Sequence, residues 1–166
     1  EAFARLEMQH LLERDPTGAY LIAEWDRELL QELATVRATL EALAIRIVSP
    51  KLDIEEYDHL QNLINRMATA YERGDYDALI HLDIAFHSYL WSQTNHTLLT
   101  DILESIKVQV LYFMHLTRHG DEEDYAGMHQ RLLNVLMEGT VDDAVQTIRE
   151  HILDTAAKGI QDMTHT

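Results

Sequence analysis

The sequence predicts an all-α protein, a single antiparallel bundle of six to seven helices. Three observations lead there. Apolar residues recur at three- and four-residue spacing in each long segment, and none shows sustained alternation. Two prolines and six glycines in 166 residues leave little turn chemistry for an all-β chain. Helix start and stop signals divide the chain at regular intervals.

Taken in order, a short helix is expected over residues 2–14, stopped by the turn signature Asp15-Pro16-Thr17-Gly18. The next begins at Tyr20 or Asp26 and runs to Val48. Its stripe is Leu29/Leu30, Leu33, Val36, Leu40, Leu43/Ala44 and Ile47, and Ser49-Pro50 ends it because proline disfavours helical geometry in the residue before it. A third helix starts after Asp53, with Glu56 at the capping-box position, and reaches Arg73. Gly74-Asp75 breaks the chain before a fourth over 75–92, and Thr94-Asn95 caps a fifth over 96–117. Arg118-His119-Gly120-Asp121 reads as a loop. Helices over 122–138 and 141–163 follow, separated by Glu138-Gly139-Thr140, where glycine suits a C-terminal cap. Residues 1–25 read as a linker or N-terminal helical extension, and residues 26–166 as one all-helical domain.

Composition excludes several classes of function. With 46% hydrophobic and 25% charged residues the chain can bury a core, so disorder is not expected. The absence of cysteine removes disulfides, thiolate metal sites and cysteine nucleophiles, and fits a reducing compartment. No apolar run approaches the roughly 20 residues of a membrane helix. Glu1, Glu7 and Glu13 also interrupt any signal-peptide pattern, so a cytoplasmic protein without membrane contact is expected. A net charge of -16 without clustered Lys or Arg argues that this chain itself binds no nucleic acid.

The chemistry lies in polar residues on faces that should be buried. Around 75–92 the stripe Leu79, Phe86, Leu90 also holds Asp83 and His87, four apart and therefore one helical turn apart on one face. His129 lies within the stripe Tyr125, Met128, Leu132, Leu136. His151 lies with Val141, Ala144/Val145, Ile148, Ile152 and Thr155. A buried carboxylate without partners costs several kcal/mol, on the order of what charge burial demands, and a metal ion removes that cost. Three imidazoles and one carboxylate suit one divalent transition metal, zinc foremost, with Ni, Mn, Fe or Co also accommodated. The other readings are hydrogen-bonded core histidines or an Asp83–His87 ion pair.

Arg37 borders the stripe of the second helix. It is either a carboxylate clamp, through its bidentate guanidinium fork, or the partner of Glu41 in an i,i+4 salt bridge. Glu7-x-x-His10 and Glu56-x-x-His59 match the spacing of di-iron carboxylate bundles, but such a site also needs inward Glu residues on two further helices, and His59 lies beside rather than on the stripe Ile54, Tyr57, Leu60, Ile64, Met67. His81, His96, His115, His119 and His165 read as surface, cap or loop residues, with His115 also able to face a cavity.

Asp83-x-x-Phe86-His87 is followed by Asn95 and Leu98, then by His129 and His151, 22 apart, with Asp142 and Ala144 between them. Together with Val36-Arg37 and Glu41, this pattern resembles the FCD effector domain of GntR-family bacterial transcription regulators, over roughly residues 26–163. The resemblance implies a central metal and ligand cavity with Asp83, His87, His129 and His151 as metal ligands. Arg37 would help hold a small carboxylic acid that also coordinates the metal, and Asn95 would lie near the cavity while starting its helix. It further implies homodimers in which ligand binding alters how paired winged helix-turn-helix domains meet DNA. Family members carry that DNA-binding domain first, and residues 1–25 are too short and too acidic to be one. The expected function is therefore ligand sensing by an effector domain that is not an enzyme. The alternative is a metal-dependent helical-bundle hydrolase or oxygenase, which needs a base beside the metal, and the sequence offers none.

Overall fold

The computed structural model describes residues 1–117 and 124–162. Among them stand seven α-helices: α1 (Ala2–Met8), α2 (Arg27–Val48), α3 (Ile54–Glu72), α4 (Tyr76–Ser92), α5 (Thr97–Leu116), α6 (Tyr125–Glu138) and α7 (Val141–Asp162). The expected helical bundle is present. None of these helices is long and apolar enough to cross a membrane. The loop expected at 118–121, the first residues of the helix expected at 122, and His119 and His165 lie outside the described residues.

The N-terminal segment corrects the expectation of a helix over 2–14. α1 ends at Met8, and two short strands, β1 (Leu12–Arg14) and β2 (Tyr20–Ile22), pair antiparallel with Glu13 opposite Leu21. The turn residues decide this. Asp15 Oδ1 accepts from the Thr17 and Ala19 amides, and Gly18 takes a φ of 87°, so the chain reverses tightly enough for its flanks to pair. The segment also docks on the bundle. Trp25 Nε1 donates to the His10 carbonyl at 2.6 Å, and Ala23 and Trp25 are buried against Leu30, Ile80 and Val110.

Side-chain caps set the helix starts. Asp26 Oδ1 accepts from the Leu29 amide, which places the start of α2 after Asp26 rather than near Tyr20. Asp53 and Glu56 form the expected capping box on α3, and Asp75 caps α4. At α5 the expectation fails: the N-cap is His96, whose Nδ1 accepts from the Leu99 amide, while Thr94 turns back to donate to the Trp91 carbonyl. Gly139 does end α6, but with extended rather than left-handed backbone, at φ -91°. Its need is space, because a Cβ there would lie 2.7 Å from the Val135 carbonyl oxygen.

α2 lies antiparallel along α7. Leu30 and Ala34 share a core with Ala156 and Ile160 at one end, and Arg46 pairs with Asp142 at the other. α3 packs on α4 and α6, α4 on α5, and α6 on α7. The main core, with Ile45, Leu60, Met67, Phe86, Leu132 and Ile148, fills the centre.

The face of α2 is the largest departure from expectation. The buried side is Leu30, Ala34, Arg37, Ala38, Glu41, Ile45 and Val48. The predicted stripe is only partly inside: Leu30 and Ala44 are buried, Leu29, Leu33, Leu40 and Ile47 are half-buried, and Val36 and Leu43 are 49% and 44% exposed. Small alanines allow α7 to approach closely on the inner side, which a row of leucines would prevent.

Candidate metal centre

The fold brings Asp83, His87, His129 and His151 to one point. α4 supplies the first two from adjacent turns, α6 and α7 supply one histidine each, and the four candidate donor atoms lie within 4.8 Å of one another. His129 Nε2 is 3.1 Å from Asp83 Oδ1 and 3.3 Å from His87 Nε2. His151 Nε2 is also 3.3 Å from His87 Nε2. Asp83, His87 and His129 are buried, and His151 is half-buried at the rim. Phe86 stands edge-on to His129 at 4.8 Å between ring centres, which helps hold that ring in place.

The outer nitrogens determine what the inner ones can do. His129 Nδ1 lies 2.7 Å from the Tyr125 carbonyl oxygen, which only accepts, so Nδ1 carries hydrogen. His87 Nδ1 lies 2.5 Å from Glu41 Oε2 and donates to that carboxylate. The neutral rings therefore point the lone pairs of their Nε2 atoms at each other and at Asp83. Protons alone satisfy these contacts only if the cluster binds at least one proton beyond three neutral rings and an ionised Asp83. That arrangement leaves Asp83 Oδ2 and His151 Nδ1 buried without a hydrogen-bond partner among the described residues.

A metal fits the donor set. With metal–nitrogen bonds of about 2.0–2.1 Å, adjacent ligands around a tetrahedral ion are about 3.3–3.4 Å apart, matching the two imidazole–imidazole separations. Burial pushes the Asp83 carboxyl up, but the hydrogen bond and charge of His129, with His87 and Arg37, outweigh it and hold the group well below the usual carboxylate range. Burial holds the His151 imidazole well below its ordinary value, aided by His129 and His87 and opposed by Asp83, so it is available as a neutral ligand.

Arg37 and Glu41 lie beside this cluster on α2. Arg37 Nε donates to Glu41 Oε1 at 2.6 Å, which is the i,i+4 salt bridge read from the sequence, and both residues are buried. The clamp reading also retains a basis, since Arg37 Nη2 has no hydrogen-bond partner among the described residues. Burial raises the Glu41 carboxyl, yet the charges of His87 and Arg37 prevail and bring it down to about 2. Both Glu41 oxygens are engaged, so it is not poised as a base for hydrolysis.

Arg37, Asp83, His151 and Thr155 line one narrow cavity of about 20 Å³, walled by Leu30, Leu33, Val110, Phe113 and Met114. Each of these four polar residues has a buried atom with no hydrogen-bond partner among the described residues: Arg37 Nη2, Asp83 Oδ2, His151 Nδ1 and Thr155 Oγ1. Asn95 is not brought to this cavity. It stands exposed in the turn between α4 and α5, with a φ of 54°. The Glu-x-x-His pairs are also apart in function, since Glu7 pairs with Arg14 and Glu56 caps α3, while His59 stacks on Tyr89. His115 is 41% exposed beside Asp77.

Sequence reasoning missed two residues. Glu41 enters the sequence reading as a partner for Arg37 and as part of the family pattern but not as a site residue, although its place among Ala38, Ala42 and Ile45 signals burial. Thr155 was read only as part of the inner face of α7.

The chain resembles known proteins along most of its length. It is 26% identical over 110 residues to the HTH-type transcriptional regulator McbR of Escherichia coli, a match covering 66% of this chain and 50% of McbR. The chain thus spans about half the length of that relative. The Bacillus subtilis regulator YdhC, described as HTH-type, is 25% identical over 154 residues, 91% of this chain and 69% of that one. The solved structure of McbR superposes with a TM-score of 0.84 at 21% identity, covering 96% of this chain and 82% of that one. The metal-free FCD domain of TM0439 gives 0.73 at 17% identity, covering 87% of this chain and all of that domain. The FCD domain family matches residues 32–154, and this chain belongs to that family.

Proposed function

We propose that this chain is the ligand-sensing effector domain of a GntR-family transcription regulator, holding one divalent transition metal and binding a small carboxylic acid beside it. The observation that carries the reading is the ring of unpaired polar atoms around one cavity that adjoins the four donors. Asp83, His87, His129 and His151 would hold the metal, with zinc the first candidate for three imidazoles and one carboxylate. An ion that accepts a fifth ligand beyond these four would supply a Lewis-acid position for a carboxylate oxygen.

The remaining groups favour an anion. With its Nε2 turned to the metal, a neutral His151 carries its hydrogen on Nδ1. Arg37 Nη2, His151 Nδ1 and the Thr155 hydroxyl are then three donors lining the cavity. Leu30, Leu33, Val110, Phe113 and Met114 would take an apolar body. At about 20 Å³ the cavity holds little more than one water, so an acid enters only by moving the walls supplied by α2 and α5.

Those two helices carry an exposed apolar face. Leu40 and Ile47 of α2 pack on Leu99, Leu103 and Ile106 of α5, and the same stripes continue outward as Val36, Leu43, Leu98 and Ile102, the last three 44%, 66% and 39% exposed. A second copy covering this face would form a homodimer whose geometry depends on the α2–α5 seam. The acid acts by binding one seam geometry more tightly than another. DNA would be contacted through a domain outside this sequence, as in the HTH-type relatives.

The test is metal content of untagged protein, followed by calorimetric titration with a panel of short carboxylic acids. About one metal per chain is expected, lost in the His129→Ala and His151→Ala variants. Arg37→Ala should weaken acid binding at least tenfold while retaining the metal. Full metal content in both histidine variants refutes the centre, and unchanged acid affinity in Arg37→Ala makes that residue structural.

A further inference from the structure

Among the described residues, Glu41 is the one buried carboxylate that is not a candidate ligand, and it is 2% exposed. It reaches from α2 to the far side of the His87 ring, where Oε2 sits 2.5 Å from Nδ1. Its other oxygen accepts from Arg37 Nε at 2.6 Å. A helical ion pair at i,i+4 explains the second contact but not the first. Such pairs ordinarily lie on the surface, and burying one is often no better than an apolar substitute. Both charged residues turn inward while Val36 and Leu43 of the same helix stay exposed, so a specific contact holds them there.

We propose that Glu41 is a positioning residue of the metal centre, which fixes His87 as the Nδ1–H tautomer, strengthens its Nε2 as a donor, and links metal affinity to the charge on Arg37. This rests on the metal reading above. A carboxylate on the outer nitrogen of a ligating imidazole orients the ring and raises its basicity. Arg37 shares that carboxylate and draws part of its charge away from His87. An anion bound at Arg37 Nη2 offsets the guanidinium charge, leaves more of the Glu41 charge to His87, and so tightens metal binding. By reciprocity, metal tightens anion binding by the same factor. Metal and acid thereby bind cooperatively through one side chain on α2.

The experiment is titration of the metal-free chain with Zn²⁺ against a competing chelating dye, with the visible spectrum of the Co²⁺ form as a second readout. Glu41→Gln keeps the volume and an acceptor oxygen but removes the charge. It should weaken Zn²⁺ by about 10- to 100-fold and shift the Co²⁺ bands. Arg37→Ala should act in the opposite direction and tighten Zn²⁺. In the double variant the gain from Arg37→Ala should shrink at least threefold, because the route through Glu41 is gone. A purely structural pair predicts weaker binding in both single variants. Zn²⁺ affinity within twofold of wild type in Glu41→Gln, or a loss in Arg37→Ala, overturns the inference while the metal reading stands. No Zn²⁺ binding by the wild-type chain overturns both. If Glu41→Gln does not fold, the direction of the Arg37→Ala change decides alone.

Discussion

Asp83→Asn isolates the charge of the centre. The two side chains are nearly isosteric, so no cavity opens, and Asp83 is the only anionic donor among the four. Asp83 is 3% exposed, so bulk solvent does little to compensate the lost charge. Removing an outer-shell partner of a metal ligand typically lowers affinity by about 10- to 100-fold, and removing the anionic ligand itself should lower it by at least about 100-fold. A ligand that binds only the folded chain adds about 2.7 kcal/mol at 100 times its dissociation constant. For a chain of this size, each kcal/mol moves the melting temperature by about 2–4 °C. Zn²⁺ at that concentration should therefore raise the wild-type Tm by about 5–11 °C over the value in EDTA. In Asp83→Asn the same concentration is near or below the new dissociation constant, and the gain falls to about 0.4 kcal/mol or less, roughly 1–2 °C. Scanning calorimetry of each protein with Zn²⁺ and with EDTA measures this, each protein serving as its own control for metal-free stability. Equal shifts in the two proteins would refute the reasoning, and no shift in either would refute the centre.

Three other outcomes follow from the same geometry. In EDTA the stability of the wild-type chain should fall as pH drops from 7.5 to 5.5, with a slope of up to about 1.4 kcal/mol per pH unit. The folded His151 binds its proton only well below the ordinary value, so below pH of about 6.5 the unfolded state gains a proton that the folded state does not. Asp83 and Glu41 are shifted downward and lose their contribution only as pH falls below the ordinary carboxylate range. Above pH 5 these carboxylates therefore add little, the part of the slope lost in His151→Gln urea melts belongs to His151, and an undiminished slope there would sink the assignment. Placing charges on the exposed stripe, as Val36→Glu with Leu43→Glu, should convert a dimer to monomers in sedimentation velocity while leaving helicity unchanged. A monomeric wild type, or a variant that remains dimeric, contradicts the proposed interface. Gly139→Ala should lower stability by about 1–3 kcal/mol through overpacking against Val135, and a neutral result would show that the end of α6 yields easily.

Most of the helical architecture was legible in residue spacing, because an α-helix that buries one face repeats its apolar residues with its own period. The capping box of Asp53 and Glu56 and the break at Gly74 were legible for the same local reason: a few neighbouring residues suffice to form them. The four candidate ligands were legible because polar groups interrupted stripes on α4, α6 and α7 whose burial was otherwise unambiguous. The hairpin over residues 12–22 was not, since three-residue strands are too short to establish alternation. The cap at His96 was not, because Thr94 and Asn95 had equal or better local claims.

By itself the sequence determined that the chain is helical, where most helices begin and end, and that Asp83, His87, His129 and His151 face inward. The tertiary structure decided which side of α2 joins them. Counting apolar residues puts the leucine stripe inside, yet the buried side carries Arg37 and Glu41. The reason lies 46 residues away in sequence, where His87 on α4 presents an Nδ1 that needs an acceptor. Periodicity records only that a helix has two faces, and the choice between them belongs to the partners that fold against it.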